Sequence, residues 1–131
     1  HVRRGDYVSS ATHAKQHGSL SLEYYTNAIE YIKSKVENPH FFIFSDDPDW
    51  AKENIKTGTE TTVSYNPPEV PYADIRLMYT CKHNIIANST YSWWGAWLGS
   101  YDKKIVVAPK NWVANPEVIA KDAVPENWIR L

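Results

Sequence analysis

Apolar and polar positions fall into blocks along this chain, and the period inside each block sets the element it predicts. SLEYYTNAIEYIKSKV (21–36) carries Tyr25, Ile29, Ile32 and Val36 on one face at helical spacing. Ser21 is placed to cap its start, and Pro39 follows its end. HFFIFSDD (40–47) is a short apolar run ending in acid, which predicts a buried strand and then a turn. PDWAKENI (48–55) reads as a short helix with Pro48 in its first turn. TTVSY (61–65) is β-branched and aromatic and predicts a strand, followed by a proline loop over 66–72. ADIRLMYTCK (73–82) pairs Ile75 with Met78 and Leu77 with Cys81 at helical spacing. A buried strand, Ile85-Ile86-Ala87, comes next, then an apolar helix over TYSWWGAWLGS (90–100) and a strand in KKIVVAP (103–109) stopped by Pro109. Residues 8–20 are polar and read as a loop. The last stretch, 111–131, predicts only a short turn of helix and a terminal aromatic segment.

Strand and helix therefore alternate four or five times, and the strands are continuous apolar runs. Such strands are covered on both faces. The expected fold is α/β: an open, Rossmann-like, doubly wound parallel sheet in one domain, 1–131. In sheets of this kind, ligands sit beyond the carboxyl ends of the strands. Three polar clusters fall at such ends: Arg3-Arg4-Gly5-Asp6, Ser45-Asp46-Asp47 and Asn88-Ser89-Thr90-Tyr91-Ser92.

Charge and composition narrow the partners. Lys+Arg 14 against Asp+Glu 15 gives a net charge of −1, so no bulk field favours nucleic acid or an anionic membrane, and any anion site must be local. Six Trp and nine Tyr raise the aromatic share to 14%, which core filling explains for most of them. Trp93, Trp94 and Trp97 form one wide apolar helix face and are expected in the core, with a ligand stack as the lesser alternative. The single cysteine, Cys81, allows no internal disulfide and fits a reducing compartment. No apolar run approaches the ~18 residues of a membrane span. The chain starts without Met inside a dense motif, so a fragment of a longer chain is expected.

The opening HVRRGDY contains an RGD tripeptide, Arg4-Gly5-Asp6. A three-letter match is weak, and adhesion is set aside in favour of an anion clamp. An arginine fork grips phosphate through two parallel hydrogen bonds. Adjacent arginines in extended backbone point to opposite sides. One is therefore expected to face the ligand and the other to hold the loop through Asp6 or Asp46, with Gly5 making a tight turn. Asn88-Ser89-Thr90 ahead of an apolar helix offers backbone N–H groups and a helix dipole to an anion, while Ser89 or Thr90 can also simply cap the helix. The same three residues spell a glycosylation sequon, read as accidental because a glycan there would block the site. Asp47-x-Asp49 has the spacing of a metal-binding acid pair, but helix capping before Pro48 is the preferred reading for both, with Asp46 left to face the cleft. Asp74 starts a helix as an N-cap, or offers a carboxylate to the two parallel N–H donors of guanine.

HVRRGDY (1–7), FSDDPDW (44–50), DIRLMYTCKHNIIANSTYSWWGAWL (74–98) and VVAPKNW (106–112) together resemble the successive motifs of the α-1,2-fucosyltransferases, glycosyltransferase family eleven, with its bacterial members nearest. The resemblance runs in order from residue 1 to about 112. It implies the carboxyl-side, donor-binding half of a two-domain GT-B enzyme. The implied reaction transfers L-fucose from GDP-fucose to a sugar hydroxyl in α-1,2 linkage, with inversion and without a metal or other cofactor. The partners it implies are GDP-fucose and an acceptor glycan. By position, Arg3 resembles the arginine on the β-phosphate of GDP, Arg4 its structural neighbour and His1 the histidine near the nucleotide. Asp74 resembles the guanine-reading aspartate, and Ser89, Thr90 and Ser92 match the hydroxyl cluster at the phosphate-binding helix start. With Asp46, these are the expected donor-binding residues; Arg3 and Asp6 are the expected catalytic ones. The α-1,6-fucosyltransferases, which that family resembles in the same regions, carry a glutamate beyond the arginines; here residues 8–13 read VSSATH, which leaves Asp6 as the acid in reach, as base or as a partner that orients Arg4. A non-catalytic nucleotide- or glycan-binding module, or a transferase using another nucleotide sugar, are the alternatives. The expected location is cytoplasmic, including a peripheral place at the inner face of a bacterial membrane.

Overall fold

A computed structural model describes residues 1–5, 18–67, 69–115 and 120–131. The elements run α1 (Leu22–Lys35), β1 (Phe41–Ile43), α2 (Pro48–Asn54), β2 (Thr61–Val63), α3 (Pro71–Thr80), β3 (Asn84–Ile85), α4 (Thr90–Trp97), β4 (Val106–Ala108), a 3-10 turn (Lys121–Ala123) and β5 (Ile129–Arg130). The fold is mixed α/β and every strand pairing is parallel. Most of the loop expected over 8–20, with Asp6, lies outside the described residues.

The ladders form two sheets, β1-β2 and β3-β4-β5. The opening segment runs between them. Val2 bridges Ser45 in parallel, with its N–H donating to the Phe44 carbonyl at 2.8 Å. The His1 nitrogen donates to the Ile85 carbonyl, also at 2.8 Å. The spatial order is therefore β2-β1-opening segment-β3-β4-β5.

Both faces are covered, as continuous apolar strands require. β4 shows this residue by residue. Val107 belongs to a core shared with Tyr24, Ala28, Ile29 and Ile32 of α1 and with Ala51 and Ile55 at α2. Its neighbours Val106 and Ala108 join Ile86, Ala96 of α4, Val124 and Trp128 in a second core. The Tyr24 hydroxyl, buried beneath α1, donates to the Ile86 and Val107 carbonyls at 2.7 and 3.2 Å and so pins the helix to β3 and β4. Ser21 caps α1 as expected, accepting from the Tyr24 N–H.

Three expectations need correction. Trp93, Trp94 and Trp97 do not form a core face: Trp94 and Trp97 are 50% and 52% exposed. α4 instead buries its small residues, Ser92, Gly95 and Ala96, and at Gly95 α3 lies too close for a side chain. A Cβ at Gly95 would stand 2.9 Å from Met78 Cβ. Trp93 is half-buried; it stacks on Trp97 and donates from its indole to the Ala123 carbonyl. Second, α3 begins at Pro71 with Val70 as its N-cap, so Asp74 sits inside the first turn and caps nothing. Third, the tail contributes a parallel strand, β5, beside β4.

Gly95→Ala is expected to overpack the α3–α4 contact and to cost about 1–3 kcal/mol of stability, read from the midpoint of denaturant unfolding.

Candidate functional site

The backbone order brings the ends of the opening segment, β1, β2 and β3 to one edge of the structure, and the candidate residues lie in the segments that leave it. Arg3 and Arg4 follow Val2 directly. The Arg3 guanidinium lies 3.3 Å from Asp46 Oδ2. Arg4 donates from its backbone N–H to Asp46 Oδ1 at 2.9 Å and from Nε to Asp47 Oδ2 at 3.4 Å. Its guanidinium lies over the Trp50 ring, 3.7 Å from the centroid, a face-on placement in which the ring quadrupole attracts the cation. Arg4 is thus the arginine held by the loop, through Asp46 and Asp47.

The acids are each engaged. Asp46 receives both arginines. Asp47 is the N-cap of α2, with Oδ1 accepting from the Trp50 N–H at 3.3 Å. Asp49 accepts from the Tyr65 hydroxyl at 3.0 Å; desolvation first, and then this bond and the Asp49 charge, push the Tyr65 phenol up. No group of three or more metal-binding side chains occurs among the described residues. Gly5 is required here by space: a Cβ would collide with the Asp46 carboxylate.

On the β2 side, Asp74 Oδ1 accepts from Ser64 Oγ at 3.0 Å and from Asn66 Nδ2 at 2.6 Å. Ser64 leaves β2 and Asp74 lies in the first turn of α3, so this carboxylate ties a strand end to a helix start. Tyr91 connects it to the other clusters. Its hydroxyl donates to the Pro71 carbonyl, and its ring lies 5.5 Å from that of His1. Burial first, and then the Asp74 charge, push the Tyr91 phenol up.

At the end of β3, Ser89 is the N-cap of α4 but makes no side-chain capping bond. Thr90 is exposed. Ser92 is fully buried, and its hydroxyl reaches the Ala87 and Ser89 carbonyls at 3.3 and 3.2 Å. Its proton is committed to the turn, whereas the Ser89 and Thr90 hydroxyls carry no such bond. Asn88 is 3% exposed and donates from Nδ2 to the Gly18 carbonyl; a buried amide is a poor glycan acceptor.

The structure brings His1 and Asp74 to the two ends of Tyr91, and joins Arg3, Arg4 and Asp46 in one cluster. Trp50, Ser64, Asn66 and Tyr91 were not singled out from sequence. Trp50 and Tyr91 stand inside FSDDPDW and the 88–92 cluster, but Arg4 and His1 are far from them in sequence, so no local signal pairs them; Ser64 and Asn66 had none either, since their role depends on a loop folding back to α3.

Residues 1–131 match Glycosyl transferase family 11. The chain is 41% identical over 133 residues to an alpha-1,2-colitosyltransferase of Escherichia coli, covering 100% of this chain and 46% of that protein. It is 44% identical over 135 residues to the O-antigen biosynthesis glycosyltransferase WbnK of Escherichia coli, covering 43% of it. To the human galactoside alpha-(1,2)-fucosyltransferase 1 it is 31% identical over 104 residues, 78% of this chain and 28% of that one. The chain thus spans less than half the length of these relatives. No solved structure matches.

Gly5→Ala is expected to push Asp46 off both arginines. The Arg4 amide should then exchange faster, with a stability loss on the order of 1 kcal/mol, since the pair is partly exposed. In an Asp46→Ala background the same change should cost almost nothing; an undiminished cost there would show that Gly5 is needed for another reason.

Proposed function

The chain belongs to glycosyl transferase family 11, and we propose that it forms the donor-binding part of an inverting α-1,2-fucosyltransferase that uses GDP-fucose without a metal. The observation that carries this reading is the arginine pair anchored at the end of the central segment, on the same edge as the start of α4 and the Asp74 cluster. Central placement favours a nucleotide site. The opening segment is where the strand order turns from one side of the sheet to the other, and ligands of doubly wound sheets bind at such points. That placement fits the carboxyl-side half of a GT-B enzyme.

The reaction follows from what these groups offer. The acceptor hydroxyl attacks C1 of the sugar from the side opposite GDP. The bond from C1 to the β-phosphate oxygen breaks, and the hydroxyl proton passes to a base. The transition state is oxocarbenium-like, as in glycoside hydrolysis. Negative charge grows on the departing phosphate. Arg3, with the backbone N–H groups at the start of α4, stabilises that charge more than it stabilises the bound donor. Arg4, braced by Asp47 and Trp50, fixes the loop from which Arg3 projects. Ser89 and Thr90 are the hydroxyls placed to assist; Ser92 shapes the turn instead. Asp6 is the base or the acid that orients Arg4. Metal independence is supported by Asp46, Asp47 and Asp49 already serving an arginine pair, a helix cap and a tyrosine.

Asp74 is the guanine reader in this scheme, with His1 and Tyr91 beside the nucleotide. Guanine's two N–H donors would take the second carboxylate oxygen and share or displace the Asn66 amide at Oδ1. One observation favours a second donor sugar: a relative 41% identical is named for colitosyl transfer. The α-1,2 linkage is common to that name and to the fucosyltransferases.

Calorimetric titration without metal tests the reading. GDP should bind, with GMP, ADP and UDP weaker, and Arg3→Ala and Asp74→Ala should each weaken GDP at least roughly tenfold, a factor worth about 1.4 kcal/mol. Equal binding of GDP and UDP would remove Asp74 as the base reader, and undiminished GDP binding in Arg3→Ala would remove the clamp.

A further inference from the structure

Asp74 Oδ1 accepts two hydrogen bonds from one strand end, from Ser64 Oγ at 3.0 Å and from Asn66 Nδ2 at 2.6 Å. The two donors follow β2 and converge on the first turn of α3. The contact fixes which way the Asn66 amide points. A carboxylate oxygen only accepts, so the group set against it is the NH₂ and not the carbonyl. One of the two amide N–H groups is used on Asp74. The other makes no bond among the described residues, and Asn66 is exposed. Asp74 is half-buried, and its second oxygen, Oδ2, also has no hydrogen-bond partner among the described residues. Three polar atoms thus stand side by side: Oδ2 and Oδ1 of Asp74, which accept, and Nδ2 of Asn66, which donates.

We propose that Asn66 is a specificity-determining residue of the donor site, and that its second amide N–H reads O6 of guanine while Asp74 takes the N1–H and N2–H groups. The inference rests on the nucleotide reading above and adds to it the group that faces the acceptor of the base. The pairing edge of guanine runs donor, donor, acceptor through N2, N1 and O6. Among the four common bases only guanine has that order, and proteins that hold a single base read it along this edge. N2 and N1 are joined through one carbon, as are the two carboxylate oxygens. The 2.6 Å contact then sets Nδ2 beside Oδ1 as O6 is set beside N1. Adenine would bring the lone pair of its N1 against a carboxylate oxygen, and uracil would bring a carbonyl there. Either mismatch leaves acceptor facing acceptor, and a site built to hydrogen-bond a partner rejects one that leaves its polar groups unpaired. Ser64 steadies the arrangement, since its bond holds the carboxylate while Nδ2 serves both Asp74 and the base. An aspartate alone accepts parallel N–H pairs from other partners, a guanidinium among them. The amide beside it is what demands an acceptor next to the two donors.

Calorimetric titration of the unsubstituted chain and of Asn66→Ala tests this with three diphosphates. They are GDP, 6-thioguanosine diphosphate, in which weakly accepting sulfur replaces O6, and inosine diphosphate, which lacks the 2-amino group. The unsubstituted chain should bind GDP roughly fivefold tighter than either analogue, the factor expected of one net hydrogen bond. Asn66→Ala should abolish the preference over the thio analogue and keep the preference over inosine diphosphate, which Asp74 carries. A preference over the thio analogue that is missing from the unsubstituted chain, or unchanged in Asn66→Ala, would overturn the assignment. So would a joint fall of both preferences, because Asn66 would then act only by holding Asp74 in place. GDP binding no tighter than UDP binding in the unsubstituted chain is a separate failure: it removes the nucleotide reading itself, and this inference with it.

Discussion

Two backbone hydrogen bonds hold the two sheets to each other through the opening segment: the Val2 N–H to Phe44 and the His1 nitrogen to Ile85, each 2.8 Å. Without them β1-β2 and β3-β4-β5 have no ladder in common. With them the ends of four neighbouring strand segments lie on one edge. The polar residues that follow those ends converge for that reason. Arg3 and Arg4 leave the central segment, Asp46 leaves β1, Ser64 leaves β2 and Ser89 leaves β3. The candidate site is therefore a product of strand order, and side-chain chemistry only decides what it can hold.

The charges of the arginine–aspartate cluster nearly offset one another, with Arg3 and Arg4 facing Asp46 and Asp47. The Arg3–Asp46 contact has side chains 33% and 24% exposed, and pairs of that kind contribute about 1 kcal/mol or less. A phosphate offering two parallel acceptors can take over the Arg3 fork at small cost. Arg4 is braced by the Asp47 carboxylate and the face of Trp50, which suits the proposed role of keeping its neighbour in place.

Much of this was legible in the sequence. Four helices and four strands lie where the apolar period puts them, because burial sets that period directly. That one arginine would hold the loop followed from the alternation of adjacent residues in extended backbone; that it is Arg4 was implied only by the family resemblance. Capping by Asp47 was likewise readable from Pro48. What escaped reading was set by distance. The burial of Gly95 in place of the tryptophans depends on how closely α3 approaches α4, and residue hydrophobicity carries no such information. The start of α3 at Pro71 moved Asp74 from a cap to a bridge between Ser64, Asn66 and the helix. β5 is two residues long and exists only because β4 offers it an edge. Tyr91, which links His1 to Pro71, has partners 90 and 20 positions away, beyond any local pattern.

The outward turn of Trp94 and Trp97 has an optical consequence. Two of the six indoles stand half in water while Trp128 is buried and Trp93 lies stacked on Trp97 with centroids 5.0 Å apart. Native emission is then a mixture of wet and dry fluorophores, and its shift on unfolding understates the loss of the core. The stacked pair, by contrast, couples the transitions of two rings held at 13°. Circular dichroism in the indole bands therefore registers the integrity of α4, the helix whose start borders the site, more directly than the total fluorescence does.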